Sequence, residues 1–366
     1  MVEFATEILN DGAKPLIDCC RSSTLKFGRS DFAGVWSSPA VNNPEDFMYR
    51  IGIDLGGTNI AAAIIDENYK IIKKMSVPTG AQRDSDAITK DMAKLCSDLC
   101  NESGIKPEDV EAVGIAAPGI ANHTDGVIEY SCNLPFRKYP ICDEFAKYFP
   151  VKRVHVENDA NAAAWGEAVA GAARGTSNSV MITLGTGVGG GIIIDNKVYS
   201  GFNYAGAELG HIVISVGGRQ CNCGRKGCWE AYSSASALIK MTAEKLEECE
   251  KQNRQTLMTE MVREKGKISG RTAFDAMRAG DEAATEVVNV YIKYLASGIT
   301  SMINIFQPEV LSIGGGISGE GQTLIDMLIP TVRSEQYGGG AVPHTRICIA
   351  QLGNDAGLIG AACLGI

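Results

Sequence analysis

The chain has 366 residues, of which 45% are hydrophobic and 21% charged, the make-up of a globular protein too long for one simple core, so two lobes are expected. Its formal net charge of −9 argues against a nucleic-acid surface, which needs clustered Lys and Arg. No apolar run is long enough to span a bilayer and the N-terminus lacks a basic-then-apolar leader, so a cytoplasmic protein with reduced thiols is expected.

Residues 1–48 are polar, carry Pro15, Pro39 and Pro44, and show only a short helical period near their start. They read as an N-terminal extension, poorly ordered or loosely docked, or else Met48 is the true start. A β-rich apolar run, 49–54, leads into Leu55-Gly56-Gly57-Thr58-Asn59, and two further apolar runs follow around a turn at Asn68-Tyr69. This spells strand, glycine turn, antiparallel strand, third strand. Backbone N–H groups of Gly56, Gly57 and Thr58 can cradle phosphate oxygens, and Asp54 at the strand end can bind Mg²⁺ through water. A plain hairpin turn explains the same residues. No helix follows the turn, which excludes a P-loop or a Rossmann turn.

Ile88, Met92, Leu95 and Leu99 repeat at helical spacing and predict a helix over 85–102. A buried strand over 110–117 ends in Pro118-Gly119, placing Gly119 at a carboxyl sheet edge, where ligands usually bind. Asn133 suits either a polyol contact or an ordinary turn. A strand over 151–156 runs into Glu157-Asn158-Asp159-Ala160-Asn161 and then a small-residue helix to about residue 173. Asp159 can serve there as general base or as helix N-cap, and the two roles are compatible. An apolar strand over 179–183, a glycine turn over 185–191 containing Thr186 and Gly187, and a second strand to 194 repeat the plan of residues 51–65. Two such turns facing each other would grip a nucleotide polyphosphate from both sides.

The stretch 208–230, ELGHIVISVGGRQCNCGRKGCWE, holds His211, Cys221, Cys223 and Cys228 between Glu208 and Glu230. Three thiolates and one imidazole make a closed tetrahedral shell for structural Zn²⁺. Such a metal would shape a loop, and the two flanking glutamates are what the loop would hold in place. Beyond it, helices are expected from Ser233 or Ser234 to 249 and from an Asp281 cap to 306, with a charged helical excursion over 251–267 between them. A strand over 309–313 meets Gly314-Gly315-Gly316, whose bare backbone suits contact with an adenosine; a strand over 346–351 and a small-residue helix close the chain.

Taken together, IDLGGTN, AAPG, Asn133-Leu134, ENDAN, LGTGVGGG, GAELGH, CNCGRKGCWE, IGGGIS and NDAGLIGAA closely resemble the ROK family of sugar kinases and repressors, from about residue 49 to the end. Within that family the likeness is to the bacterial glucokinases. The resemblance implies an α/β, two-lobed actin-like ATPase fold (ribonuclease H-like, hexokinase superfamily) with a small zinc loop. The lobes would be 49–158, completed by 353–366, and 159–352. The implied reaction is ATP-dependent phosphorylation of glucose with Mg²⁺. Asp159 would be the base, and Gly119, Asn133, Asn158, Glu208, His211 and Glu230 would line the sugar site. Asp54, Gly56, Gly57, Thr58 and Asn59 would form the first phosphate site, Thr186 and Gly187 the second, and Gly314, Gly315 and Gly316 would face adenosine. His211 would be shared, one ring nitrogen on zinc and the other toward the sugar. Another hexose (N-acetylmannosamine, fructose, allose or N-acetylglucosamine) is the alternative substrate. A sugar-sensing repressor is the reading from another class, and the short, non-basic 1–48 speaks against it. A homodimer or homotetramer without nucleic-acid or membrane partners is expected.

Overall fold

The first sheet is built from β1 (Tyr49–Leu55), β2 (Asn59–Ile65), β3 (Ile71–Pro78), β4 (Val110–Ala117) and β8 (Arg153–Asn158), in the order β3-β2-β1-β4-β8. Helix α1 (Ser85–Ser103) crosses over before β4. The strands β5 (Ile120–Asn122), β6 (Val127–Tyr130) and β7 (Arg137–Tyr139) form a separate antiparallel sheet, and α2 (Ile141–Ala146) precedes β8. Helix α3 (Asp159–Ala170) leads to the second large sheet. That sheet holds β9 (Ser179–Leu184), β10 (Val188–Ile194), β11 (Lys197–Val198), β12 (Val310–Gly314) and β13 (Arg346–Ile349), in the order β11-β10-β9-β12-β13. Between β11 and β12 lie α4 (Glu230–Ser233), α5 (Ala235–Lys251), α6 (Leu257–Lys265), α7 (Thr272–Arg278) and α8 (Glu282–Phe306). Helix α9 (Gln322–Glu335) joins β12 to β13, and α10 (Ala356–Ala362) ends the fold. The computed structural model describes residues 49–366, so the expected extension over 1–48 lies outside the described residues. Among them no helix is long and apolar enough to cross a membrane.

The two sheets repeat one topology. In each, the first two strands are antiparallel and the first, fourth and fifth are parallel. The strand–glycine turn–strand repeat seen in the sequence is therefore the start of a duplicated five-stranded sheet. β1 is buried along most of its length because helices cover both faces, whereas the edge strand β3 alternates between half-buried and exposed positions.

Helices α3 and α10 form the layer between the sheets: α10 packs on β1, β4 and α3, and α3 packs on β9 and β10. The approach is backbone on backbone. A methyl added at Gly52 or Gly114 would overlap the carbonyl oxygens of Leu358 or Ala361, and one added at Gly360 would overlap that of Ala162. Glu167, fully buried on α3, clamps the same layer by accepting from the N–H groups of Ala172, Gln351 and Leu352 at 2.6, 3.0 and 2.7 Å.

Several boundaries differ from expectation. β8 runs on through Glu157 and Asn158, which pair beside Ala116 and Ala117. β10 begins at Val188, so Gly189, Gly190 and Gly191 are strand, not turn. Helix α3 stops at Ala170, not 173, because the Glu167 carboxylate captures the Ala172 N–H and the chain turns at Gly171. Ser234 is the cap of α5, accepting from Ala237 N–H at 3.0 Å. Asp281 caps α8 as expected.

Gly114→Ala should cost about 1–3 kcal/mol, because the atom in the way is backbone that cannot swing aside. Gly319→Ala, which meets nothing within 4 Å, is the control. A urea midpoint lowered for the first variant alone is the expected result; equal midpoints would show that α10 is not packed this tightly.

Candidate active site

Parallel strands bring their carboxyl ends to one edge, which is where open α/β sheets bind ligands. In the first sheet that edge carries Asp54, Gly119 and the Asn158-Asp159 pair, since β1, β4 and β8 are adjacent and parallel. The β1–β2 turn is closed by the Gly56 N–H on the Asn59 carbonyl at 3.0 Å, and Thr79 braces it through its hydroxyl on the Gly56 carbonyl at 2.6 Å. Gly57, Thr58 and Asn59 are exposed. A methyl on Gly57 would lie 4.0 Å from Asn133 Cβ, so the expected phosphate turn and this expected sugar residue are neighbours.

Asp159 is the first residue of α3, and Asn158 is its cap. Asn158 Oδ1 accepts from the N–H groups of Ala160 and Asn161 at 2.9 and 3.2 Å, while its Nδ2 donates to the Gly119 carbonyl at 3.0 Å. The Asp159 carboxylate accepts from Ala160 N–H at 2.8 Å and opens to solvent. Surrounding protein raises its pKa, and the hydrogen bonds from the backbone and from Asn158 pull part of the way back. Asp54 is raised too, by burial first and then by the charge of Asp159, with Lys74 opposing. Lys74 itself pairs with Asp355 at 2.5 Å, just before α10.

In the second sheet the equivalent edge carries Gly185-Thr186-Gly187 after β9 and, on the adjacent parallel strand, Gly314 as the last residue of β12 with Gly315-Gly316 after it. Gly315 has φ +82 and lies so close to Leu184 that a methyl there would meet its backbone at 2.6 Å. Thr186 and Gly316 are exposed. The two expected nucleotide turns are thus side by side.

His211, Cys221, Cys223 and Cys228 come together: their ligand atoms all lie within 4.8 Å of one another. The Nδ1 atom of His211 faces the thiols, 3.7 Å from Cys221 Sγ, and Cys223 and Cys228 are 3.6 Å apart. Nε2 points the other way, 4.0 Å from Glu208 Oε2. This cluster is docked on β10. Gly210 packs against Val188, and a methyl on Gly190 would lie 2.5 Å from Leu209 Cδ1. Glu230 Oε2 accepts from Val188 N–H at 3.0 Å and its Oε1 lies 3.6 Å from Cys221 Sγ. On the other face of the same strand, a methyl on Gly189 would lie 3.6 Å from Ala160 Cβ.

Three features of the site escaped the sequence reading. Trp229, fully buried, lies flat over Gly298 of α8 and donates to the Tyr294 carbonyl at 3.1 Å, anchoring the cysteine-rich segment. Glu157, 3% exposed, accepts from Asn158 N–H at 2.8 Å and from Asn161 Nδ2 at 3.1 Å. His123, on the β5–β6 turn, lies 2.9 Å from Glu157 Oε2. Contacts between segments so far apart in the chain leave no local signal in the sequence.

The sequence profile of the ROK family matches residues 50–366. The chain belongs to the ROK family. It is 34% identical over 323 residues to the glucokinase of Thermotoga maritima, covering 86% of this chain and 96% of that one. It is 35% identical over 314 residues to the glucokinase of Streptomyces coelicolor, with the same coverage. Among solved structures, a ROK family glucokinase from Streptomyces griseus in complex with glucose and AMPPNP superposes with a TM-score of 0.70 at 34% identity, covering 86% of this chain and 98% of that one. The fold is therefore the α/β fold of the ROK sugar kinases.

The raised pKa of Asp54 has a stability consequence with a definite sign. Below the ordinary carboxylate range both folded and unfolded chains hold the proton, and above the raised value the folded state carries the full charge penalty. Asp54→Asn should therefore raise the thermal midpoint at neutral pH, with the gain vanishing as pH falls below about 4. A midpoint unchanged or lowered at neutral pH would contradict this placement of Asp54.

Proposed function

We propose that this ROK family protein transfers the γ-phosphoryl group of ATP to the 6-hydroxyl of glucose, with Asp159 as general base. The observation that carries the proposal is Asp159 itself: a solvent-open carboxylate of raised pKa, at the carboxyl edge of the first sheet, on a helix packed against the strand that follows the second glycine turn. Likeness to proteins named glucokinase over most of the chain supports glucose as the acceptor.

Phosphoryl transfer asks for in-line positioning and charge compensation more than for covalent help. Asp159 would accept the proton of the primary hydroxyl; that oxygen would bond to the γ-phosphorus as its bond to ADP breaks. Gly57, Thr58 and Asn59 would hold phosphate oxygens from one side and Thr186 and Gly187 from the other, with Gly314, Gly315 and Gly316 against adenosine; the expected Gly56 donor is already committed to the Asn59 carbonyl and shapes the turn instead. Asp54 would orient Mg²⁺, which when bound supplies positive charge to the phosphates. Asn133, Asn158, Gly119, Glu208, Nε2 of His211 and the Glu230 carboxylate would read the sugar hydroxyls. A sugar of wrong stereochemistry leaves one of these groups unpaired, and that is how such a site discriminates.

The Cys/His cluster suits Zn²⁺. A tetrahedron with arms of about 2.3 Å to sulfur and about 2.0 Å to nitrogen has edges near 3.8 Å between sulfurs and about 3.5 Å from sulfur to nitrogen. The 3.6 and 3.7 Å separations are close to these edges, and all four ligand atoms lie within 4.8 Å of one another. Four protein ligands leave no open position, so the role is structural: Cys221, Cys223, Cys228 and His211 Nδ1 would fix the turn that carries Glu208. The remaining parts of the proposal are an actin-like pair of lobes, 49–158 with 353–366 and 159–352, closing on the substrates, and a cytoplasmic homodimer or homotetramer.

A panel of sugars in a coupled ADP assay tests the proposal, run with wild type and Asp159→Asn. Glucose should show the highest kcat/KM, and Asp159→Asn should lower kcat by about 10²–10⁴. Preference for N-acetylmannosamine, fructose, allose or N-acetylglucosamine would reassign the substrate, and near-normal turnover by the variant would remove Asp159 from the mechanism.

A further inference from the structure

The turn between β5 and β6 makes contacts in two directions. The turn is held by Asn122, whose Oδ1 accepts from Asp125 N–H at 3.1 Å and whose Nδ2 donates to Asp125 Oδ2 at 2.9 Å. On one side, His123 Nδ1 bonds to Glu157 Oε2 at 2.9 Å. Glu157 is a buried carboxylate, and among the described residues no Lys or Arg pairs with it. Its other oxygen holds the Asn158 N–H and the Asn161 side chain, so it sets the direction of the peptide that leads into Asp159. On the other side, the His123 ring meets the Tyr204 ring edge to face, with centroids 5.0 Å apart, and the Tyr204 hydroxyl bonds to Thr124 Oγ1 at 2.8 Å. Tyr204 and Ala207 stand at φ +61 and +63, unusual for residues with side chains, and Glu208 follows directly. Such strained conformations persist only where surrounding contacts over-determine them, and the His123–Thr124 turn supplies contacts of that kind.

We propose that His123 is a positioning residue with two separable limbs: its hydrogen bond to Glu157 orients the Asn158-Asp159 pair, and its ring, with Thr124, holds Tyr204 and thereby the segment that delivers Glu208 and His211 to the sugar. The inference rests on the proposed kinase reading and adds a residue to which that reading gave no role. The Glu157 partner raises the pKa of His123, consistent with the hydrogen bond. A hollow of about 420 Å³ lined by His123, Thr124, Tyr199 and Tyr204 lies beside the turn, so substitutions here meet open space on one side.

Two substitutions separate the limbs. His123→Asn keeps an N–H near the position of Nδ1 and removes the ring; His123→Phe keeps the ring and removes the donor. His123→Phe should lower kcat about tenfold or more, as misplacement of a catalytic group does, with the KM for glucose near that of wild type. His123→Asn should keep kcat and raise the KM for glucose about two- to tenfold, the value of an aromatic pair. Tyr204→Phe, which loses only the hydroxyl bond to Thr124, should raise the same KM with kcat unchanged. A purely structural role predicts instead that both parameters fall together in both His123 variants, in step with their thermal midpoints, and that pattern would overturn the inference. So would wild-type kinetics in all three variants. Wild-type turnover on glucose, measured alongside, checks the underlying reading: its absence overturns the proposed function and this inference with it, whereas full wild-type turnover with unmoved variants overturns this inference alone.

Discussion

Three consecutive glycines in β10 are the constraint on which the rest of the site depends. Successive residues of a strand face opposite ways. Gly189 and Gly191 face α3, whose first turn carries Asp159; a methyl on Gly191 would lie 2.9 Å from the Ala160 carbonyl oxygen. Gly190 faces Leu209, in the turn that carries Glu208 and His211. One strand without side chains is therefore pressed from both faces by the segments assigned to base and sugar. Their mutual placement is fixed by backbone contact, which leaves little room for drift.

The same economy of side chains runs through the whole molecule. Gly52 and Gly114 in the first sheet and Gly360 in α10 stack backbone on backbone, so that two duplicated sheets share a thin helical layer. The loop bearing the Cys/His cluster has the opposite character: it is secured by large and polar contacts, Trp229 under α8 and Glu230 on Val188. His211 has one ring nitrogen toward the thiols and the other toward Glu208.

Much of this was legible in the sequence where the signal was local. Glycine turns after apolar strands, the Asp281 cap and the spacing of His211, Cys221, Cys223 and Cys228 each carry their own physical reason, and the structure brings those four residues together. The duplication was visible as a repeat of strand, turn and strand, although the parallel strands that complete each sheet enter only after long crossovers. What the sequence could not display was contact between distant segments. β5, β6 and β7 have three or four residues each, too few for a period. The glycines of β10 read as a turn because only the helix and loop pressing on them explain why a strand there must lack side chains. His123 and Glu157 are 34 positions apart, and neither is unusual alone.

The most direct measurement is the glucose dissociation constant, by calorimetry, on one sample before and after removal of bound metal by a chelator, with zinc quantified in both states. The prediction is one zinc per chain as purified, glucose affinity lowered at least about tenfold when it is removed, in line with the cost of disturbing groups that orient a metal-held site, and affinity restored by zinc. Zinc-free protein that binds glucose as tightly as before would contradict the view that the cluster holds His211 and Glu208 in place for the sugar.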